Sequence, residues 1–103
     1  MPATVPRPLH HADFTPLVGR SLWAECDPEA VELELIEATP LVDRGVVDRP
    51  PFILILRSGP MALLVSATYR LHGHGFGPEP VDLIQIARPA SGPPGHYYQA
   101  VFN

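Results

Sequence analysis

Apolar and polar positions alternate along much of this chain with a period of two residues, which is typical of half-buried β-strands. The clearest case is V-E-L-E-L-I-E-A-T at residues 31–39, where valine and leucine point to one side and Glu32 and Glu34 point to the other. The consecutive pair Leu35 and Ile36 interrupts this alternation, so we expect a β-bulge at that point.

Five further segments have the same alternation, or are short apolar runs between turn residues. These predicted strands cover residues 21–26, 51–57, 67–72, 80–88 and 96–103. The run P-F-I-L-I-L-R at 51–57 is apolar on both faces, and we therefore expect a central strand covered on both sides. The segment M-A-L-L-V-S at 61–66 fits either a short strand or an irregular bulging stretch. The chain is thus predicted to be all-β, an antiparallel barrel or sandwich of about six strands.

The N-terminal region differs from the rest of the chain. Residues 1–12 hold three prolines and two adjacent histidines, and are expected to form a flexible arm. D-F-T-P-L-V-G at 13–19 predicts one short helical turn, with Pro16 near its start and Gly19 at its end. Residues 13–103 are accordingly predicted to form a single all-β domain.

Composition narrows the class of protein. The chain has 103 residues, of which 46% are hydrophobic and 17% charged, with a formal net charge of −4. Its 14 prolines favour turns over helices. All seven basic residues are arginines and are scattered, which argues against nucleic-acid binding. No segment resembles a signal peptide or is long enough to span a bilayer, so we expect a cytoplasmic protein without membrane insertion.

The stretch Y-R-L-H-G-H-G-F-G at residues 69–77 carries the most suggestive chemistry. On a continuous strand, His72 and His74 would share a face, as a pair of metal ligands requires. Further ligands would have to come from His96, Asp82, Glu79 or Cys26. The three glycines of this stretch do not suit a rigid strand. We therefore favour a hairpin connection with exposed histidines and keep the metal site as the alternative.

Cys26 is the single cysteine, so no intramolecular disulfide can form. It could serve as a nucleophile with a histidine as its base. However, the neighbouring carboxylates of Glu25 and Asp27 are expected to raise the pKa of the thiol. An inert, half-buried cysteine is the favoured interpretation.

Two other groups contain side chains that catalytic or metal sites use. The N-terminal group of His10, His11 and Asp13 has metal-binding atoms, but a solvated tail is the favoured interpretation.

The second group consists of Glu32, Glu34 and Glu37, which could act as paired catalytic carboxylates. Cross-strand ion pairs with Arg57 or Arg70 explain them more simply. Because no catalytic or phosphate-binding motif is present, we expect a protein that is not an enzyme and has no cofactor.

Three aromatic residues are candidates for binding another protein. Phe76 lies among glycines, and Tyr97 and Tyr98 are adjacent on the last strand, so one tyrosine should face outward. An exposed aromatic ring is a common anchor in protein interfaces. Alternatively, the outward ring only covers a neighbouring strand.

Several segments occur in the order found in a known family. They are F-T-P-L-V-G, V-E-L-E-L-I-E-A-T-P, R-P-P-F-I-L-I-L-R-S-G-P, T-Y-R-L-H and Y-Q-A-V-F-N. From Phe14 to Asn103 the chain resembles a family of small bacterial domains of unknown function. The most specific segments are P-F-x-L-x-x-R-x-G-P and Y-x-A-V-F-N. The chain departs from the family in its apolar M-A-L-L-V-S and in H-G-H-G-F-G, where members carry a short turn.

The resemblance implies no catalytic residue. Members are often encoded near phage-tail-collar-like or tail-fibre-like proteins, which implies an accessory role in a tail-like or surface assembly. We therefore expect a non-enzymatic module that binds other protein chains, self-association included, with sheet edges as docking surfaces. The alternative is a small ligand- or metal-binding barrel that uses His72 and His74.

Overall fold

The fold is described by a computed structural model over residues 9–27, 29–41 and 50–102. It contains helix α1 (His11–Phe14), a 3-10 turn (Thr15–Leu17) and strands β1 (Ser21–Ala24), β2 (Val31–Pro40), β3 (Phe52–Ser58), β4 (Ala67–Gly73), β5 (Phe76–Ile86) and β6 (His96–Phe102). The six strands form a closed antiparallel barrel in the order β1-β2-β3-β6-β5-β4. The predicted all-β fold with one short helix is confirmed, and of the two predicted architectures the structure is the barrel.

The alternation of apolar and polar residues predicted some local features of the strands correctly and others not. The β2–β3 register shifts between Leu35 and Glu37, which confirms the expected bulge. β5 begins at Phe76, earlier than predicted, because the glycine-rich stretch continues directly into the strand. Residues 61–66 form no strand, so the irregular alternative is the correct one for that segment.

Inward-pointing side chains, most of them leucines, fill the barrel. The completely buried members include Leu22, Leu33, Leu35, Leu54, Leu56 and Leu71. At roughly 25 cal/mol per Å² of apolar surface, each such leucine contributes on the order of 2 kcal/mol of burial free energy. This interior is the main source of stability for a chain with a single small core.

The barrel end at the start of β3 is closed by α1. The ring of Phe14 lies 4.9 Å from that of Phe76 and 5.7 Å from those of both Phe52 and Phe102, centroid to centroid. Phe52 and Phe102 stack at 4.5 Å. Four aromatic rings thus close this end, at spacings that favour attraction between the rings.

Part of the predicted N-terminal arm belongs to the folded unit. Leu9 is buried against the core, and α1 begins at His11 rather than at residue 13. Gly19 has a φ of 86°, a left-handed conformation that suits glycine where the chain leaves the helical turn. Residues 1–8 of the arm lie outside the described residues.

The seam between β5 and β6 is paired only over Ile84–Ile86. The backbone amide of Gln85 donates to Ser66 Oγ on the β4 side. The backbone N–H groups of the residues on either side of Gln85 therefore point towards β6. Pro80 falls on that side and has no N–H to donate. Its presence is consistent with the separation of the first half of β5 from β6.

The opposite end of the barrel, at the end of β3, is closed by the loop before β4. The backbone amide of Leu64 donates to Tyr98 Oη at 2.9 Å, and Ser58 Oγ lies 3.0 Å from the same oxygen. Ser58 Oγ also donates to the carbonyl of Ala62 at 2.6 Å. Both bonds to Tyr98 are buried, so this tyrosine fixes the loop from inside the barrel.

Replacing Tyr98 by phenylalanine is expected to lower the free energy of unfolding by about 1–3 kcal/mol, because the buried Leu64 amide loses its acceptor. Urea unfolding followed by fluorescence measures the change. The matched control is Tyr97→Phe, which removes only the bond donated to the carbonyl of Pro93 at 2.8 Å. That carbonyl can bind water instead, so we expect a smaller loss. Equal losses in the two variants would contradict this role of Tyr98.

Candidate functional site

The outer surface of the barrel has a polar side formed by β1, β2 and β4. Trp23, which is 39% exposed, pairs with Glu32 on β2 and with His72 on β4. Glu34 Oε1 accepts from Arg57 Nη2 at 2.9 Å, and Arg70 Nε lies 3.5 Å from Glu25 Oε2. The expected pairing of Glu34 with Arg57 is therefore confirmed, whereas Arg70 pairs with a different glutamate.

The other two glutamates of this group also have nearby partners. Glu32 accepts a hydrogen bond from the hydroxyl of Ser21, and Glu37 accepts one from Thr39 at 2.6 Å. These carboxylates lie on exposed strand positions, where such contacts contribute little to stability. They organise the polar side of the barrel.

The two candidate metal-binding histidines are separated by the hairpin between β4 and β5. His72 is on β4, whereas His74 (φ 51°) and Gly75 (φ 83°) form the two-residue connection between Gly73 and Phe76. Positive φ at both central residues is the mark of a type I′ hairpin turn. The hairpin is confirmed, although only His74 is exposed and His72 is half-buried on β4. The shared strand face that a histidine pair would need is interrupted.

Metal-ligand side chains do not cluster elsewhere in the described part of the chain. Over residues 9–27, 29–41 and 50–102, no group of three or more His, Cys, Asp or Glu side chains is placed to hold a metal ion. Asp13 instead accepts from the backbone amide of His10 at 2.8 Å, at the start of α1. His11 Nε2 lies 2.9 Å from the carbonyl oxygen of Ala38 and so ties α1 to β2.

Cys26 is a half-buried free thiol just beyond β1. Burial, with a further contribution from the charge of Asp27, raises the pKa of this thiol. The expected direction is confirmed, although burial is a larger cause than the neighbouring carboxylate. A raised pKa reduces the thiolate fraction at neutral pH and does not favour nucleophilic chemistry.

The three aromatic candidates are not on the surface. Phe76 is 8% exposed and packs on Phe14, while Tyr97 and Tyr98 are 1% and 0% exposed. One tyrosine does point outward, as expected, but its ring is not exposed. Tyr98 points into the barrel, and Tyr97 points outward but is covered by the turn at 89–95, where it donates to the carbonyl of Pro93. Buried rings cannot provide the exposed anchors that the sequence suggested.

Sheet edges are also not available in the expected way. The hydrogen-bonded ladder returns from β4 to β1, so every strand in the described part of the chain has a neighbour on both sides. Closure removes the unpaired rows of amides and carbonyls through which an edge strand accepts a partner. Apart from the stretch where the first half of β5 separates from β6, the outside of the barrel offers side chains rather than backbone groups for binding.

One side of the outer surface is apolar. It is formed by three adjacent strands, with β6 between β3 and β5. We call it the apolar face and define it by its six outward side chains, Ile53, Ile55, Ile84, Ile86, Gln99 and Val101. Ile84 and Val101 are 56% and 42% exposed, and the other four are half-buried. None of the six can carry a charge.

The apolar face corrects one expectation from the sequence. The sequence predicts that β3 is covered on both sides, but only its inward side (Phe52, Leu54, Leu56 and Ser58) is buried, while Ile53 and Ile55 on the other side are partly exposed. A closed barrel has a single interior, so only one side of each strand can enter it. The sequence signal was genuine, since F-I-L-I-L and L-I-Q-I both lack a charged face.

These features define the class of protein, a small closed six-stranded β-barrel with one polar and one apolar outer side. The family model described as a domain of unknown function (DUF6916) matches residues 9–102, and the chain belongs to that family. Neither the curated proteins nor the solved structures that were searched gave a match. No helix within the described ranges is long and apolar enough to cross a membrane.

Proposed function

We propose that this domain is a non-enzymatic interaction module that binds another protein chain through its apolar face. The supporting observation is the patch of six uncharged side chains on β3, β6 and β5, with Ile84 more than half exposed at 56%. Exposed contiguous apolar surface on a small protein is a common mark of a protein-binding site. The polar side of the barrel, formed by β1, β2 and β4, then remains in solvent.

The choice of residues supports the same function. Four of the five isoleucines of the chain lie on the apolar face, whereas leucines fill the interior. β-Branched side chains suit a sheet surface that packs against a second layer. The outward sides of β3 and β5 therefore resemble strands that are covered on both faces, and a partner would provide the second cover.

The partner belongs, in this proposal, to a larger assembly. The family resemblance suggests a phage-tail-like or surface structure in which the domain is an accessory part, assembled from the cytoplasm. The binding surface on such a partner would be apolar and uncharged, because it must replace water over isoleucine and valine side chains. An oligomeric arrangement of the bound domains is compatible with this role.

Replacing Ile84 by lysine is expected to abolish capture of the partner, because it places a charge within the apolar face. The measurement is co-purification of the tagged domain with the proteins encoded beside it. Val18→Lys is the matched control, since Val18 is also an exposed apolar residue (44%) but lies next to the N-terminal helical turn. Circular dichroism confirms that both variants are folded.

Two results would refute the proposed function. One is a wild-type domain that captures none of the proteins encoded beside it and does not self-associate. The other is an Ile84→Lys variant that binds its partner as well as the wild type and the Val18→Lys control do.

A further inference from the structure

We infer that the chain covering the apolar face is a second copy of this domain, related to the first by a two-fold axis. This inference rests on the proposed function, because it names the partner of the same surface. Its support is the arrangement of side chains across the three strands and the distribution of charge around the barrel.

The central row of the apolar face is self-complementary. Gln99 on β6 pairs with Ile55 on β3 and with Ile84 on β5, so the row has isoleucine, glutamine and isoleucine in either direction. When a two-fold axis lies between the two facing copies and runs parallel to β6, Ile55 of each copy lies opposite Ile84 of the other. The same patch then serves both partners, as in an isologous interface.

Gln99 lies at the centre of this row, where the two copies would be closest. A carboxamide has both a donor and an acceptor, so two copies of the same side chain can bond to each other across the axis. The next row has Val101 beside Ile53 on β3, whereas the same side of β5 carries Asp82, which lies at the rim of the face. Two sheets packed in this way stand about 10 Å apart with interdigitating side chains.

The distribution of charged side chains favours the apolar face as the contact between two identical chains. Each copy has a formal net charge of −4, so two copies repel each other at long range. Contact through the β1–β2 side would bring Glu32 and Glu34 towards their own counterparts. The six residues of the apolar face carry no charge. At its borders Arg57 binds Glu34 and the carbonyl of Pro94, while Glu37 and Asp82 accept hydrogen bonds from Thr39 and Thr68. The apolar face therefore lets two acidic copies meet without opposing carboxylates.

The test is sedimentation velocity over a concentration series for the full chain and two isosteric variants. Gln99→Glu places two carboxylates opposite each other, and we expect it to weaken the dimer at least about tenfold at pH 7. Gln85→Glu is the matched control, because Gln85 is on the same pair of strands but its side chain alternates to the other side of β5. This control should dimerise like the wild type.

Changes of pH and of salt concentration distinguish this interface from other kinds of contact. Near pH 4, close to the ordinary glutamate pKa of about 4.3, the introduced carboxyl is partly protonated and the defect of Gln99→Glu relative to wild type should shrink. Added salt should strengthen the wild-type dimer, since it screens the repulsion between acidic copies and leaves apolar contact intact. An interface held by ion pairs would weaken instead.

Several outcomes would overturn the inference. They are a wild-type chain that stays monomeric at all concentrations, or a dimer that Gln99→Glu and Gln85→Glu affect equally. Should Gln99→Glu fail to fold, Ile84→Lys replaces it, and a dimer that persists in that variant has the same meaning. A monomeric wild type that captures a neighbouring protein through Ile84 refutes self-association but leaves the proposed function standing.

Discussion

Phe14→Ala is expected to lower the free energy of unfolding by about 3–5 kcal/mol, the usual range for removing a fully buried phenylalanine. Phe14 is 0% exposed, and its ring contacts those of Phe52, Phe76 and Phe102. Removal leaves a cavity where three strands meet and where α1 closes the barrel. Because small domains are stabilised by only about 5–15 kcal/mol, this change takes away a large share of the total.

Chemical denaturation of the Phe14→Ala variant measures this loss directly. Val18→Ala is the control, since Val18 is only four residues further along the chain but 44% exposed. Its effect should stay within about 0.5 kcal/mol. A loss below about 1 kcal/mol for Phe14→Ala would show that the helical turn is an attachment rather than part of the core.

Gly77→Ala is the second change with a large expected effect, about 3 kcal/mol or more. Gly77 has a φ of +72°, and a Cβ at this position would lie 2.1 Å from the carbonyl oxygen of Leu71 and 2.9 Å from the amide nitrogen of Glu79. Both atoms belong to the backbone of the β4–β5 pair. The methyl group can be accommodated only if the two strands move apart.

Gly75→Ala separates the two contributions. Gly75 also has a positive φ, +83°, but a Cβ there meets nothing within 4 Å. Its substitution should therefore cost only the conformational strain, about 1–2 kcal/mol. Thermal and urea unfolding of the two variants provide the comparison, and equal losses would mean that the contact with Leu71 is not a real restraint.

Local features of the fold could be predicted from the sequence because they depend on neighbouring residues. The two-residue alternation located β2, and the Leu35-Ile36 pair predicted its bulge. The glycines around His74 predicted a turn, and the structure shows a two-residue hairpin connection there. Each of these predictions used side-chain periodicity or backbone freedom, which are readable within a few residues.

Features that depend on distant segments were predicted less well. Alternation correctly placed Tyr97 and Tyr98 on opposite sides of β6, but could not show that the turn at 89–95 covers Tyr97. Similarly, Phe76 is flanked by glycines in the sequence, and it is buried because α1 brings Phe14 against its ring. Closure of the barrel also depends on pairing between β1 and β4, which are far apart in the chain.

The apolar pattern of β3 was read correctly, but the cover that it implied was attributed to the chain itself. The alternating leucines and isoleucines of β3 indicated a strand covered on both sides, and the chain itself covers only one of them. An uncovered apolar side was therefore present in the pattern, but its location required the neighbouring strands. Only the barrel order places Ile84 and Ile86 of β5 beside the isoleucines of β3, with β6 between them.

Methyl NMR of isoleucine-labelled protein tests most directly whether the apolar face binds a protein chain. The chain has five isoleucines, four on the apolar face and Ile36 at the bulge of β2, which serves as an internal reference. Spectra are recorded as the concentration of the domain rises, and then with a captured neighbouring protein. We predict that the methyl signals of Ile53, Ile55, Ile84 and Ile86 shift or broaden while Ile36 stays unchanged. Shifts confined to Ile36, or no shift under either condition, would contradict binding through this face.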